Sequence, residues 1–159
     1  MTTPRKIIVP DLPLTGGCQC GAVRYRITAP PLTLYACHCT ECQKQSASAF
    51  GLSLRVPKEA VELTGETASM SRSDPDAPFT EGVFCPACGT RIMHRRPTRD
   101  TVNIKAGTLD DTSWLMPIGH LWTQSAQAGF RPHPDDILYD RQPDDYEALI
   151  AAWSKATAS

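Results

Sequence analysis

A mainly all-β fold of short antiparallel strands with one C-terminal helix is predicted by three observations in the sequence. Several short segments alternate apolar and polar residues with period two, the mark of a half-buried strand. Fourteen prolines and ten glycines are spread along the 159 residues, which favours short elements broken by turns over long helices. Near the C-terminus the apolar residues change to a helical spacing.

The elements follow in order. Residues 1–13 read as an irregular lead-in, 14–142 as one domain, and 143–159 as a helix and tail. Gly16-Gly17-Cys18-Gln19-Cys20-Gly21 is a tight turn, because glycine takes backbone angles closed to other residues. Val23, Tyr25 and Ile27 alternate with Arg24, Arg26 and Thr28, and Pro30-Pro31 ends that strand. The same pattern returns at Phe50, Leu52, Leu54 and Val56, opposed by Gly51, Ser53 and Arg55. Further strands are expected at Val61-Glu62-Leu63-Thr64, at Val83-Phe84, at Ile92-Met93, and where Val102, Ile104 and Ala106 alternate with Asn103 and Lys105. A short helix is expected from Glu41 through Gln45. The C-terminal helix is marked by Asp144 three residues before Glu147, a capping box, with Tyr146, Leu149, Ile150 and Trp153 on one face. Residues 69–80 read as a mobile loop. Trp114, Leu115, Met116, Leu121 and Trp122 read as core, with the face of a homodimer as the alternative.

The formal net charge of −1, with 41% hydrophobic and 21% charged residues, gives no electrostatic reason to expect nucleic acid or an anionic membrane as a partner. Arg91, Arg95, Arg96 and Arg99 read as a solvated basic loop, with anion binding as the alternative. The apolar run Ile7–Val9 is too short for a signal peptide, and no stretch approaches the ~20 apolar residues of a membrane span. A cytoplasmic location is the expectation. In that reducing compartment, dense cysteine pairs read as metal sites before disulfides.

The seven cysteines fall into a CxC pair (Cys18, Cys20), a CxCxxC group (Cys37, Cys39, Cys42) and a CxxC pair (Cys85, Cys88). Zinc takes four thiolate or imidazole ligands in a closed structural site, while three protein ligands leave a position open. Seven thiols therefore divide as four plus three. Cys18, Cys20, Cys85 and Cys88 would tie the first turn to a distant hairpin, a long-range cross-link that constrains the unfolded chain. Cys37, Cys39 and Cys42 would form an open zinc site able to hold an incoming thiol as its thiolate. The alternative is that His38, or another side chain, closes this second site and makes it structural. His94, His120 and His133 carry only a generic expectation of surface or hydrogen-bonding roles.

Three motifs then resemble a known family. Gly16-Gly17-Cys18-Gln19-Cys20-Gly21-Ala22-Val23-Arg24-Tyr25, Cys37-His38-Cys39-Thr40-Glu41-Cys42-Gln43-Lys44 and Phe84-Cys85-Pro86-Ala87-Cys88-Gly89-Thr90 are similar, in order, to motifs of the glutathione-dependent formaldehyde-activating family, which includes centromere protein V-like proteins. Lys105–Asp111 and Pro117–Trp122 are similar to later segments. The resemblance covers roughly residues 14 to 130. It implies a β-tent fold, a structural zinc on Cys18, Cys20, Cys85 and Cys88, and a catalytic zinc on Cys37, Cys39 and Cys42. It further implies a carbon–sulfur lyase that joins formaldehyde and glutathione as S-(hydroxymethyl)glutathione, with a small thiol as partner. The chain departs from the family where a Pro-Trp often follows the His-Ile-Trp segment: here the residues are Ala128-Gly129-Phe130. A non-enzymatic zinc-stabilised binding module and a thiol-adduct carrier are the alternative functions, and a thiol redox sensor is a third.

Overall fold

The computed structural model describes residues 5–72 and 80–159. Among them, in chain order, are β1 (Leu14–Gly17), β2 (Arg24–Ile27), β3 (Thr33–Cys37), α1 (Thr40–Ser46), β4 (Gly51–Pro57), β5 (Val61–Thr64), β6 (Ala68–Arg72), β7 (Thr80–Phe84), β8 (Arg91–Arg95), β9 (Thr101–Lys105), β10 (Gly119–Leu121), β11 (Ile137–Leu138) and α2 (Glu147–Thr157). The fold is mainly β with a C-terminal helix, as predicted. The chain divides into two compact units, each assembled from separated segments.

The first unit holds described residues 5–10 with Leu32–Leu54 and Trp114–Ser159. All five residues of β3, Thr33–Cys37, are buried, the pattern of a strand covered on both faces. β10 runs parallel to it, with Gly119 opposite Tyr35 and Leu121 opposite Cys37, and β11 runs parallel to β10. These pairings depart from the expected antiparallel arrangement. A two-residue hairpin joins only antiparallel strands, whereas the chain returns to β3 through a long excursion.

Helix α2 buries Leu149, Trp153 and Ala156, at i, i+4 and i+7. The Thr33 hydroxyl donates to the Leu149 carbonyl at 3.2 Å, and the Tyr35 and Tyr146 rings pack 5.3 Å apart. Burial of Leu149, which is fully enclosed, contributes roughly 1.5–3 kcal/mol. The helix starts differently from the expectation. Tyr146 is the N-cap and makes no side-chain capping bond, so Glu147 is the first helical residue rather than the third. The Glu147 amide is met instead by Asp145 Oδ1 at 2.9 Å. Ahead of all the strands, the Ile7 amide donates to the Ala156 carbonyl at 2.8 Å.

The second unit holds Asp11–Pro31 and Arg55–Ser113. Its smaller sheet, β1-β2-β5, is antiparallel, and the predicted alternation holds on β2: Tyr25 and Ile27 are buried while Arg24 and Arg26 are exposed. The Tyr25 hydroxyl meets Thr108 Oγ1 at 2.8 Å, and the Arg24 guanidinium grips both oxygens of Asp110. Strands β6, β7, β8 and β9 form an antiparallel meander. Residues 69–72 belong to β6 and Thr80 to β7, which corrects the loop expected over 69–80; residues 73–79 lie outside the described residues. Arg91 and Arg95 lie on β8 rather than in a basic loop, and Arg95 pairs with Glu81 at 2.7 Å.

Strand β4 carries the chain from one unit into the other, the division falling between Leu54 and Arg55. The expected alternation fails here. Ser53 and Arg55 are only 5% and 7% exposed, buried along with their neighbours Leu54 and Val56. A strand covered on both faces has no solvent side for its polar residues to mark.

Candidate metal centres

Each cysteine group is built within one unit. Cys18 follows β1 directly and enters a turn in which the Gly21 amide donates to the Cys18 carbonyl at 3.1 Å, while the Cys18 amide donates to the Val23 carbonyl at 3.0 Å. The second turn repeats this arrangement. A β-bulge at Val83/Phe84 bends the strand just ahead of Cys85, the Gly89 amide donates to the Cys85 carbonyl at 2.8 Å, and the Cys85 amide donates to the Thr90 carbonyl at 3.0 Å. Gly21 and Gly89, each one residue past the second cysteine of its pair, have φ of 82° and 77°. That left-handed conformation costs other residues roughly 1–2 kcal/mol.

The two turns bring four sulfurs together. Cys18 Sγ lies 3.5 Å from Cys20 Sγ, and Cys20 Sγ lies 3.8 Å from Cys85 Sγ. All four, with Cys88, fall within 4.8 Å of one another. A tetrahedral zinc with Zn–S bonds of about 2.3 Å sets its sulfurs about 3.8 Å apart, so this group fits that ion. The Thr90 hydroxyl, 3.2 Å from Cys88 Sγ, is the main cause that holds the Cys88 thiol low, at about 5. The Ala22 amide pulls Cys20 the same way, but the Cys18 and Cys88 sulfurs outweigh it and push Cys20 up to about 11. Without a cation, one thiolate here suppresses the next.

Cys37, Cys39 and Cys42 form the other group, again with all sulfurs within 4.8 Å of one another. Cys37 ends β3 and Cys39 is the N-cap of α1, its sulfur accepting the Cys42 amide at 3.3 Å. Cys37 and Cys42 hydrogen bonds hold the Cys39 thiol down to about 2, and the same contacts with Cys39 and Cys42 push Cys37 up. Sharing of one negative charge among three sulfurs is what a cation would relieve. Among the described residues no imidazole or carboxylate joins these three donors.

His38 turns away from the sulfurs of its neighbours. Its Nε2 meets His120 Nδ1 at 2.9 Å, His120 Nε2 meets Asp136 Oδ2 at 3.0 Å, and Arg5 donates to Asp136 Oδ1 at 2.7 Å. The Asp136 carboxylate can only accept, so His120 carries its proton on Nε2, and His38 must donate to the bare His120 Nδ1. Burial drives the His38 pKa down to about 4 and lowers that of His120 against the opposing pull of Asp136. The Phe130 ring packs on both imidazoles, 4.3 Å from His38 and 4.6 Å from His120.

The profile of the glutathione-dependent formaldehyde-activating enzyme family matches residues 13–125. The chain belongs to this family. Similar curated proteins, each provisionally named glutathione-dependent formaldehyde-activating enzyme, include one from Penicillium rubens, 27% identical over 63% of this chain and 55% of that protein. Another, from Halomonas elongata, is 31% identical over 50% of this chain and 54% of that protein. A third, from Talaromyces marneffei, is 25% identical over 75% of this chain and 67% of that protein. The chain thus spans about half the length of the first two. A crystal structure of a Rhodobacter sphaeroides protein shares the fold, with a TM-score of 0.50 at 14% identity, covering 79% of this chain and 99% of that one. No helix of the described residues is long and apolar enough to cross a membrane.

All seven cysteines of this family member stand in the groups that their spacing predicts. The Arg5–Asp136–His120–His38 chain is what sequence reasoning missed. Its members lie 131, 16 and 82 residues apart in successive contacts, and no local pattern marks them.

Proposed function

We propose that this chain is a zinc-dependent carbon–sulfur lyase acting on the adduct of glutathione, or a related thiol, with formaldehyde or another small aldehyde. One observation carries the reading: three cysteine sulfurs converge at the start of α1, and no fourth protein donor joins them among the described residues. The family match supports the thiol and aldehyde classes. Zinc held by Cys37, Cys39 and Cys42 would supply an open coordination position at which a thiol is kept as its thiolate. The four-cysteine group would hold a second zinc with a structural role.

The chain's own residues hold the three sulfurs in place. The Cys42 amide anchors Cys39 Sγ. The Gln43 side chain donates through Nε2 to the His38 carbonyl at 2.8 Å and to the Ser125 carbonyl at 2.9 Å, fixing the junction between β3 and α1. In the forward direction a sulfur–carbon bond forms as the aldehyde π bond breaks, and the proton released by the thiol ends on the new hydroxyl. The reverse step breaks the same bond and returns the proton to sulfur. Free thiols in this number suit a reducing, cytoplasmic location.

The reading is tested by calorimetry with reduced glutathione and S-methylglutathione, on the wild type and on Cys39→Ser. Glutathione binds the wild type more tightly, because a thioether cannot deprotonate. Its affinity rises with pH below the ordinary thiol pKa of ~8.5. Cys39→Ser removes that preference. Exchange of free and adduct formaldehyde, followed by NMR, accelerates with the wild type alone. Equal binding of the two ligands would turn the reading into a non-enzymatic zinc module, and binding without acceleration would leave a carrier.

A further inference from the structure

A cavity of about 470 Å³ opens in the unit that carries the three-cysteine group. Its walls are apolar: Phe50, Met116, Pro117 and Phe130 line it. Phe130 is held in place by its tilted packing against the His38 and His120 rings. Polar groups converge among these walls, and their donors and acceptors do not balance.

Asp136 is the one carboxylate lining the cavity among the described residues, and it is already engaged. Arg5 Nη1 at 2.7 Å, His120 Nε2 at 3.0 Å and the His133 amide at 2.7 Å all donate to it. Its side chain is 4% exposed. His120 is engaged at both ring nitrogens and stays neutral, because burial outweighs the pull of Asp136. Donors, by contrast, remain. Arg5 has a side chain only 9% exposed, and its Nε is buried without a hydrogen-bond partner. A buried donor left in that state loses its hydration with nothing in return. Arg131, also lining the cavity, gives Nη1 to the Ala128 and Phe130 carbonyls at 2.8 and 2.7 Å. No described carboxylate pairs with its positive charge. Gln127 uses its amide on Gln43 Oε1 at 3.1 Å and keeps a second N–H.

Unspent donors, one unneutralised guanidinium and apolar walls select a ligand with an anionic end and an apolar body. A carboxylate matches the planar fork of a guanidinium with two oxygens, and its body fills the space between Phe50 and Phe130. A phosphate would bring more charge and more acceptors than these donors satisfy. We infer that this cavity is a binding site for a small organic carboxylate with a compact, aromatic or branched body, gripped by Arg131 and Arg5 and stacked on Phe130. No cysteine lines this cavity, and the inference does not depend on the lyase reading.

The test titrates the full chain with phenylacetate, phenylacetamide and inorganic phosphate by calorimetry. The acid binds in the millimolar range or tighter, and at least about tenfold more tightly than the amide, the scale of one charge-assisted bond. Arg131→Gln, a change at an exposed position that leaves the melting temperature unaltered, removes that tenfold preference, and Arg131→Lys restores part of it. Phe130→Ala weakens acid and amide alike. Cys39→Ser leaves phenylacetate binding unchanged, which separates this result from the thiol test. Equal binding of acid and amide, an Arg131→Gln variant that binds the acid as the wild type does, tighter binding of phosphate, or no binding in the millimolar range would each overturn the inference.

Discussion

Glu81 and Arg95 sit opposite each other across β7 and β8, joined by two bonds of 2.7 and 3.0 Å. The Arg95 guanidinium holds the Glu81 carboxyl down at about 2, against an ordinary 4.5. A depressed carboxylate pKa adds stability that is fully present above the unfolded value and lost as pH falls through the folded one. The pair therefore contributes at neutral pH and fades between about 4.5 and about 2. Arg95 is 41% exposed, which holds the contribution to about 0.5–1 kcal/mol. Urea denaturation of Glu81→Gln and wild type at pH 7 and pH 2 checks it: a difference of that size at pH 7 closes at pH 2. Adjacent residues can also serve different networks. In Cys37-His38-Cys39 the sulfurs join one group and the imidazole another. The thiols were legible in the sequence because their ligand chemistry requires close spacing. The sequence leaves His38 open as a fourth ligand, since nothing near it in the chain names its true partner, His120.

At the scale of elements, legibility followed exposure. Strand β2 has one wet face, so Arg24 and Arg26 announce its alternation. Strand β4 has none, so Ser53 and Arg55 misled. The C-terminal helix was visible in Leu149 and Trp153, but its start was misplaced. Asp144 and Asp145 offer the same carboxylate one residue apart, and only the backbone decides between them. The paired cysteine turns were visible because their chemistry is local: two sulfurs and a following glycine. With zinc bound, loss of one of four ligands opens the link between the turn at Cys18–Gly21 and the turn at Cys85–Gly89. Loss of one of three at the head of the short helix α1 opens no such link. Cys88→Ser should therefore cost at least about 2 kcal/mol more than Cys39→Ser. Thermal melts of the two variants, side by side with their zinc content, check this, and equal melting temperatures would reverse the assignment of roles.

For the whole molecule, two groups of unequal donor number predict unequal release of metal. Four thiolates enclose an ion, while three leave it open to competing ligands. Under a graded chelator, zinc should leave in two steps of about one equivalent each, the three-cysteine site first and without unfolding. Simultaneous metal analysis and circular dichroism would show it, and one step coincident with unfolding would count against it. The parallel pairing of β3 with β10 has a consequence of another kind, in the order of biosynthesis. The four-cysteine group is complete once Cys88 has been made, and the unit around it once Ser113 has been made. Cys37, though synthesised early, has no strand partner on the β10 side until Leu121 follows. Ribosomes add ~5–20 residues each second, so the 33 residues from Cys88 to Leu121 take roughly 2–7 s. Through that interval the nascent chain holds one four-cysteine cluster with its unit complete and one strand, ending in thiols, that still lacks its β10 partner.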